Sequence, residues 1–116
     1  MRVQIFARNV TLTPSWVDFI ERRLTFALGR FASRVQDVVV RIQDLNGPRG
    51  GIDQQCQIDA RILPSAWKTA KGTGADLGSA ISIAVDRIAR CVRTDLDRRR
   101  TRRIRGRKRM ETPVLA

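Results

Sequence analysis

Apolar and polar residues alternate at the start of the chain, with Val3, Ile5 and Ala7 set against Gln4, Phe6 and Arg8. A period of two sends successive side chains to opposite faces, so a half-buried strand is expected over about residues 2–8. The period then changes. Val17, Ile20, Leu24, Ala27, Leu28 and Phe31 recur at steps of three and four, the spacing of one helix face. Thr13 before them suits an N-cap, and Pro14 suits a first turn where its missing N–H is harmless. This helix is expected to run to about Ala32. From Gln36 the chain reads as a strand again, with Val38, Val40 and Ile42 on one side and Val39, Arg41 and Gln43 on the other. The run NGPRGG, Asn46–Gly51, is turn chemistry, and Cys56, Ile58, Ala60 and Ile62 then alternate with Gln55, Gln57, Asp59 and Arg61 to complete a hairpin. Pro64 and Ser65 break the chain before AWKTAKGTG, a short strand with glycines at its exit, after which Asp76 can cap a second helix. The apolar stripe of that helix is Leu77, Ala80, Ile81, Ala84, Val85, Ile88, Val92 and Leu96, with Cys91 at its margin.

The order is therefore β-α-β-β-β-α. A right-handed crossover places the first helix on one face of the sheet and the second must cover the rest of that face. The expected fold class is an α+β two-layer sandwich, a four-stranded sheet with two helices on one face. After Leu96 only Ile104 is apolar before Met110, so residues 98–109 bury too little surface to offset ordering and are expected to fray into disorder. Residues 1–97 read as the folded domain and 98–116 as a basic tail. A chain of 116 residues suits one such domain and leaves no room for a second.

Charge sharpens this division. Residues 1–86 carry 11 Arg or Lys against 8 Asp or Glu, whereas residues 87–116 carry 12 against 3. The sequence pI near 11.6 and this asymmetry point to a polyanion as partner. A membrane is disfavoured: the longest helical apolar stretch, Leu77–Val85, lies between Asp76 and Asp86 and falls far short of the ~20 residues a span needs. The alternating N-terminus lacks a continuous apolar segment of the secretory kind, which suggests a cytoplasmic protein. Two cysteines, Cys56 and Cys91, are far apart and no histidine is present, so core thiols are expected and a zinc site is not.

Catalysis also lacks its usual parts, since the chain has no His or Tyr, no phosphate-binding glycine motif and no carboxylate cluster. No enzyme, cofactor, metal or small-molecule substrate is expected. Asp86 lies four residues before Arg90 and Asp97 four after Arg93, the spacing of helix-surface ion pairs. What does cluster is cationic. On the first helix Arg22, Arg23 and Arg30 fall away from the Leu24 stripe, beside Phe19 and Phe26; on the second, Arg87, Arg90 and Arg93 share an outer flank that continues into tail residues Arg98, Arg99, Arg100, Arg102 and Arg103. Arginine supplies 20 of the 23 cations, and its planar fork both chelates phosphate and stacks. Phe19 and Phe26 either offer stacking to unpaired bases or pack against a neighbouring element.

The stretches FARNVTLTPSWVDFIERRL and GADLGSAISIAVDRIARCVR resemble the two signature regions of the bacterial ribosome hibernation-promoting factors, the ribosome-associated inhibitor family. In the first, Arg8, Asn9, Leu12 and Thr13 fit the family's GRN-x-x-LT entry, with Ala7 in place of Gly, and Arg22-Arg23-Leu24 stands in the basic helix positions. In the second, Asp76, Ala80, Ile81, Ala84, Val85, Asp86, Arg87, Arg90 and Arg93 fit, while Gly78 and Ser82 replace the usual Tyr and Asp and Thr94 replaces a basic residue. The resemblance covers about Arg2 to Arg93 and implies a fold similar to a double-stranded RNA-binding domain.

It also implies a short-form hibernation factor of the stress response, whose partner is the small ribosomal subunit and its rRNA. Basic helix residues would dock in the decoding channel and exclude mRNA and tRNA. Two other readings compete with this one: a general RNA-binding or RNA-chaperone module, and a protein-interaction module in which Phe19 and Phe26 mark a partner contact.

Overall fold

The computed structural model describes residues 1–45, 54–64 and 66–111, with side chains as far as Thr101. Val3 stands opposite Val38 and Ile5 opposite Val40, in a parallel pairing of β1 (Arg2–Arg8) with β2 (Val35–Asp44). Parallel neighbours need a crossover, and α1 (Pro14–Leu28) supplies it. Strands β3 (Gln54–Ile62) and β4 (Ala66–Gly74) follow antiparallel, giving the spatial order β1-β2-β3-β4, and α2 (Leu77–Glu111) closes the chain. The expected turn at Asn46–Gly51 and the break at Ser65 lie outside the described residues.

Alternation decides which face of the sheet is covered. Val38, Val40 and Ile42 of β2 and Cys56, Ile58, Ala60 and Ile62 of β3 are all buried, and they meet Ile20, Leu24 and Leu28 of α1 and Ile81, Val85, Ile88 and Val92 of α2 in one core. The opposite face stays open and carries Arg41, Asp59, Arg61 and Trp67. This is the α+β two-layer arrangement that the periodicities predict. Burial pushes the Cys56 thiol up to about 12, so it is a protonated core group, whereas Cys91 is half-buried at the core margin.

Local chemistry sets the helix ends. Thr13 is extended and its hydroxyl oxygen accepts from the Trp16 N–H, with Pro14 at the first helical position. Asp76 does the same for α2: its carboxylate accepts from the Ser79 N–H at 2.7 Å. That backbone hydrogen bond, with the Ser79 hydroxyl, holds the Asp76 carboxyl below its ordinary value. Asn9 takes a left-handed backbone, φ 59°, as the chain leaves β1, a conformation that asparagine tolerates better than most residues.

Two glycines set the spacing between the layers. They stand at the exit of β4, Gly74 being its last residue. A Cβ on Gly72 would lie 2.5 Å from the Ala80 carbonyl oxygen and the Ala84 nitrogen, and one on Gly74 would lie 2.9 Å from the Ala80 nitrogen. Only a missing side chain lets α2 sit so low on β4. Gly78, which replaces the Tyr of the resembling motif, lies under the Trp16 ring, 3.8 Å from where its Cβ would be.

Two expectations differ from the structure. Helix α1 ends at Leu28, and Gly29–Phe31 form a 3-10 turn that carries the chain toward β2 instead of continuing to Ala32 as regular helix. Helix α2 does not leave its helical path near residue 97 but continues to Glu111. A contact distant in sequence supports the first part of this extension. Arg99 pairs with Asp95 at 2.9 Å and donates to the Leu63 carbonyl at the end of β3, while Lys68 of β4 stands 3.5 Å from the same Asp95. Polar links thus replace the apolar stripe where it gives out.

Candidate nucleic-acid interface

Helices α1 and α2 lie side by side on the sheet, and the trough between them is the candidate site. From α1 and its 3-10 turn it receives Arg23, Phe26, Ala27, Arg30 and Phe31; from α2 it receives Val85, Asp86, Ala89, Arg90 and Arg93. Steps of three and four along α2 bring Asp86, Ala89, Arg90 and Arg93 onto one flank. Ala27 and Ala89 leave the floor low, so the arginines rise as walls around it. The Arg30 guanidinium carbon lies 5.8 Å from the Phe31 ring centroid, within cation–π range.

These arginines lack the partners that helix spacing predicts. Neither Asp86–Arg90 nor Arg93–Asp97 forms an ion pair; the one i,i+4 pair formed among the described residues is Asp95–Arg99. Arg90 and Arg93 accordingly have no acceptor among the described residues, and the Nε of Arg23 is buried without one. Four guanidinium groups facing a single carboxylate make the trough electropositive. Its chemistry is anion binding, with the forked geometry that suits phosphate.

The other residues singled out from the sequence distribute differently. Arg22 lies on the far side of Phe26, in a shallower hollow with Asp18, Glu21 and Thr25. Arg87 turns toward the sheet and donates to the Lys71 carbonyl at 2.7 Å on the outer edge of β4. Arg98 borders a hollow with Lys68, Arg90, Cys91, Thr94 and Asp95, and Arg100 borders one with Arg34, Leu96, Asp97 and Arg99. Arg102 and Arg103 continue α2, and their side chains lie outside the described residues. The trough therefore gathers Arg23, Arg30, Arg90 and Arg93, while Arg22 and Arg87 face elsewhere and Arg99 is tied into the fold.

The two phenylalanines also part company. Phe19 is half-buried against the core and meets Trp16 edge-on, ring centroids 5.6 Å apart. Phe26 is 91% exposed. Two residues absent from the sequence-based set, Arg34 and Lys68, join the cationic rim beside Arg100 and Arg98. No local pattern could have singled them out, since each reaches that rim from the sheet side of the fold.

Comparison with known proteins adds three findings. The family model described as sigma 54 modulation protein / S30EA ribosomal protein matches residues 3–100. The crystal structure of the N-terminal domain of Thermus thermophilus Protein Y is similar, with a TM-score of 0.67 at 24% identity, covering 79% of this chain and 96% of that one. A ribosomal subunit interface protein from Coxiella burnetii is also similar, with a TM-score of 0.67 at 12% identity, covering 87% of this chain and 99% of that one. At these identities the two likenesses show a common fold. No curated protein matches the sequence.

Proposed function

Because the chain belongs to the sigma 54 modulation protein / S30EA ribosomal protein family, we propose that it is a ribosome-binding translation inhibitor that lays the α1/α2 trough on small-subunit rRNA in the decoding channel. Family membership gives the coarser statement, a ribosome-associated modulation factor; the trough suggests how it holds on. The observation that carries the reading is the set of four arginines, Arg23, Arg30, Arg90 and Arg93, gathered along one trough. Phosphates supply the missing acceptors, and the rigid helix pair sets their spacing. The mechanism is steric: a domain seated in the channel excludes mRNA and tRNA, and no bond is made or broken. The basic half of α2 adds sequence-independent affinity through counterion release.

Co-sedimentation with purified small subunits and whole ribosomes at near-physiological salt tests this, with wild type compared with Arg90→Glu/Arg93→Glu and free RNA present in excess. Saturable binding that resists the competitor and is lost in the variant is expected, together with protection of decoding-channel nucleotides from chemical modification. Binding titrated away by any RNA would make the protein a general RNA binder instead. That second reading draws on the density of cations beyond residue 97, where nine of the twelve residues 98–109 are Arg or Lys.

A further inference from the structure

Phe26 is an aromatic ring with no place in the core: it is 91% exposed, while every other residue on its helix larger than threonine and apolar is at least half-buried. It stands on the ridge between two hollows of opposite character. On one side is the trough with Arg23, Arg30, Arg90 and Arg93; on the other are Asp18 and Glu21 beside Arg22. An exposed ring of this size offers a flat apolar face to whatever binds alongside it. The surrounding charge selects the cover. A polyanion backbone is drawn to the arginine side and repelled from the carboxylate side, so it follows the trough with the ring at its edge.

Resting on the reading of the trough as an RNA-binding site, we propose that Phe26 is a stacking platform for one unpaired base of the bound RNA, whose neighbouring phosphates lie on Arg23 and Arg30. The site then takes a nucleotide turned out of its helix, not a paired one. In a continuous duplex the base faces are stacked on each other, and the ring has nothing to cover it. Stacking on an exposed aromatic is tolerant of base identity, so this device selects RNA shape rather than sequence. A flat apolar partner protein would also cover the ring, but the four arginines alongside, with no acceptor among the described residues, favour phosphate.

The test uses the full chain and two RNA probes, a hairpin with an unpaired adenine loop and a blunt, fully paired duplex of equal length. Phe26→Ala should weaken hairpin binding roughly five- to a hundredfold, the range for loss of one base–aromatic stack. Duplex affinity and the salt slope should stay unchanged, since no charge is altered, and Phe26→Trp should keep hairpin affinity near wild type. An equal loss on both probes, or none on either, overturns the proposal. So does a shift in the sedimentation of RNA-free protein on Phe26→Ala, which would mark a protein–protein contact.

Small-subunit co-sedimentation run in parallel separates this proposal from the reading beneath it. Loss with Arg90→Glu/Arg93→Glu but not with Phe26→Ala overturns the stacking platform alone. Subunit binding indifferent to the arginine variant overturns the trough reading itself.

Discussion

The open face of the sheet and the trough between the helices both carry arginine, but they treat it in opposite ways. At the centre of the sheet face Arg41 pairs with Asp59, which also accepts from Thr69 at 2.7 Å, and Arg61 stands 3.7 Å from Asp37. Cross-strand register brings each acid beside its base, and the central charge there is cancelled locally. In the trough, four arginines face one aspartate, and the helix-spaced acids that could neutralise Arg90 and Arg93 do not engage them. Composition alone makes the two surfaces look alike. Pairing separates a surface that satisfies itself from one that awaits an outside partner.

Charge reversal gives the sharpest test of that contrast. Arg90→Glu/Arg93→Glu should reduce small-subunit affinity at least about a hundredfold, taking about 1.5 kcal/mol for each charge-assisted bond lost, and should lower the salt slope by about two. Arg41→Glu/Arg61→Glu removes as much positive charge and should leave binding nearly unchanged in the same sedimentation assay. Equal losses from the two pairs would erase the distinction between the surfaces.

A second substitution alters the trough without touching a charge. Gly72→Ala forces a methyl group into the backbone of α2, and overpacking of this kind costs about 1–3 kcal/mol. Thermal unfolding should move down by several degrees, at about 4–8 °C per kcal/mol for a domain of this size. If the seating of α2 sets the trough, subunit affinity at a temperature where the variant is folded should fall as well. Gly29→Ala, where nothing lies within 4 Å of the added methyl and the backbone is already helical, should raise the unfolding temperature if anything and leave affinity unchanged.

Smaller effects are expected on the open face. Arg41→Ala breaks a pair on its exposed side, worth about 0–1 kcal/mol, so denaturant unfolding should report a loss of that size and binding should hold. The acid limb of stability offers the finest probe. The Asp76 carboxyl is held below its ordinary value by the Ser79 N–H, so its contribution is present above the unfolded-state value near ~3.9 and disappears as pH falls through the lower folded value. Between pH 5 and 2, Asp76→Asn should show a shallower decline in unfolding temperature than wild type, because asparagine caps without titrating.

Much of the architecture was legible because its causes are local. The alternation of Val3 and Ile5, the stripe through Ile20, Leu24 and Leu28, the Thr13–Pro14 start and the Asp76 cap each depend on neighbours within a few residues. The site was harder to read. Helical phase put Arg22 and Arg23 together, yet one residue turns them through about 100°, enough to send one toward α2 and the other away. Helical phase sets Phe19 beside the arginines, yet it packs edge-on against Trp16 at the core margin. Arg87 and Arg99 find backbone carbonyls on Lys71 and Leu63, partners 16 and 36 residues away in sequence. The length of α2 was underestimated for the same reason: hydrophobic periodicity records apolar burial and is blind to a helix held by guanidinium links.

Those links at Arg99 make the end of α2 a cantilever. One end is held where Lys68 of β4 meets Asp95 and Arg99 reaches the Leu63 carbonyl, and the helix runs on for another twelve residues to Glu111, about 18 Å at 1.5 Å per residue. Along this beam stand seven Arg or Lys against one Glu. Its length exceeds the ~8 Å screening length of physiological salt, so the charges at its far end and those of the trough are screened from one another.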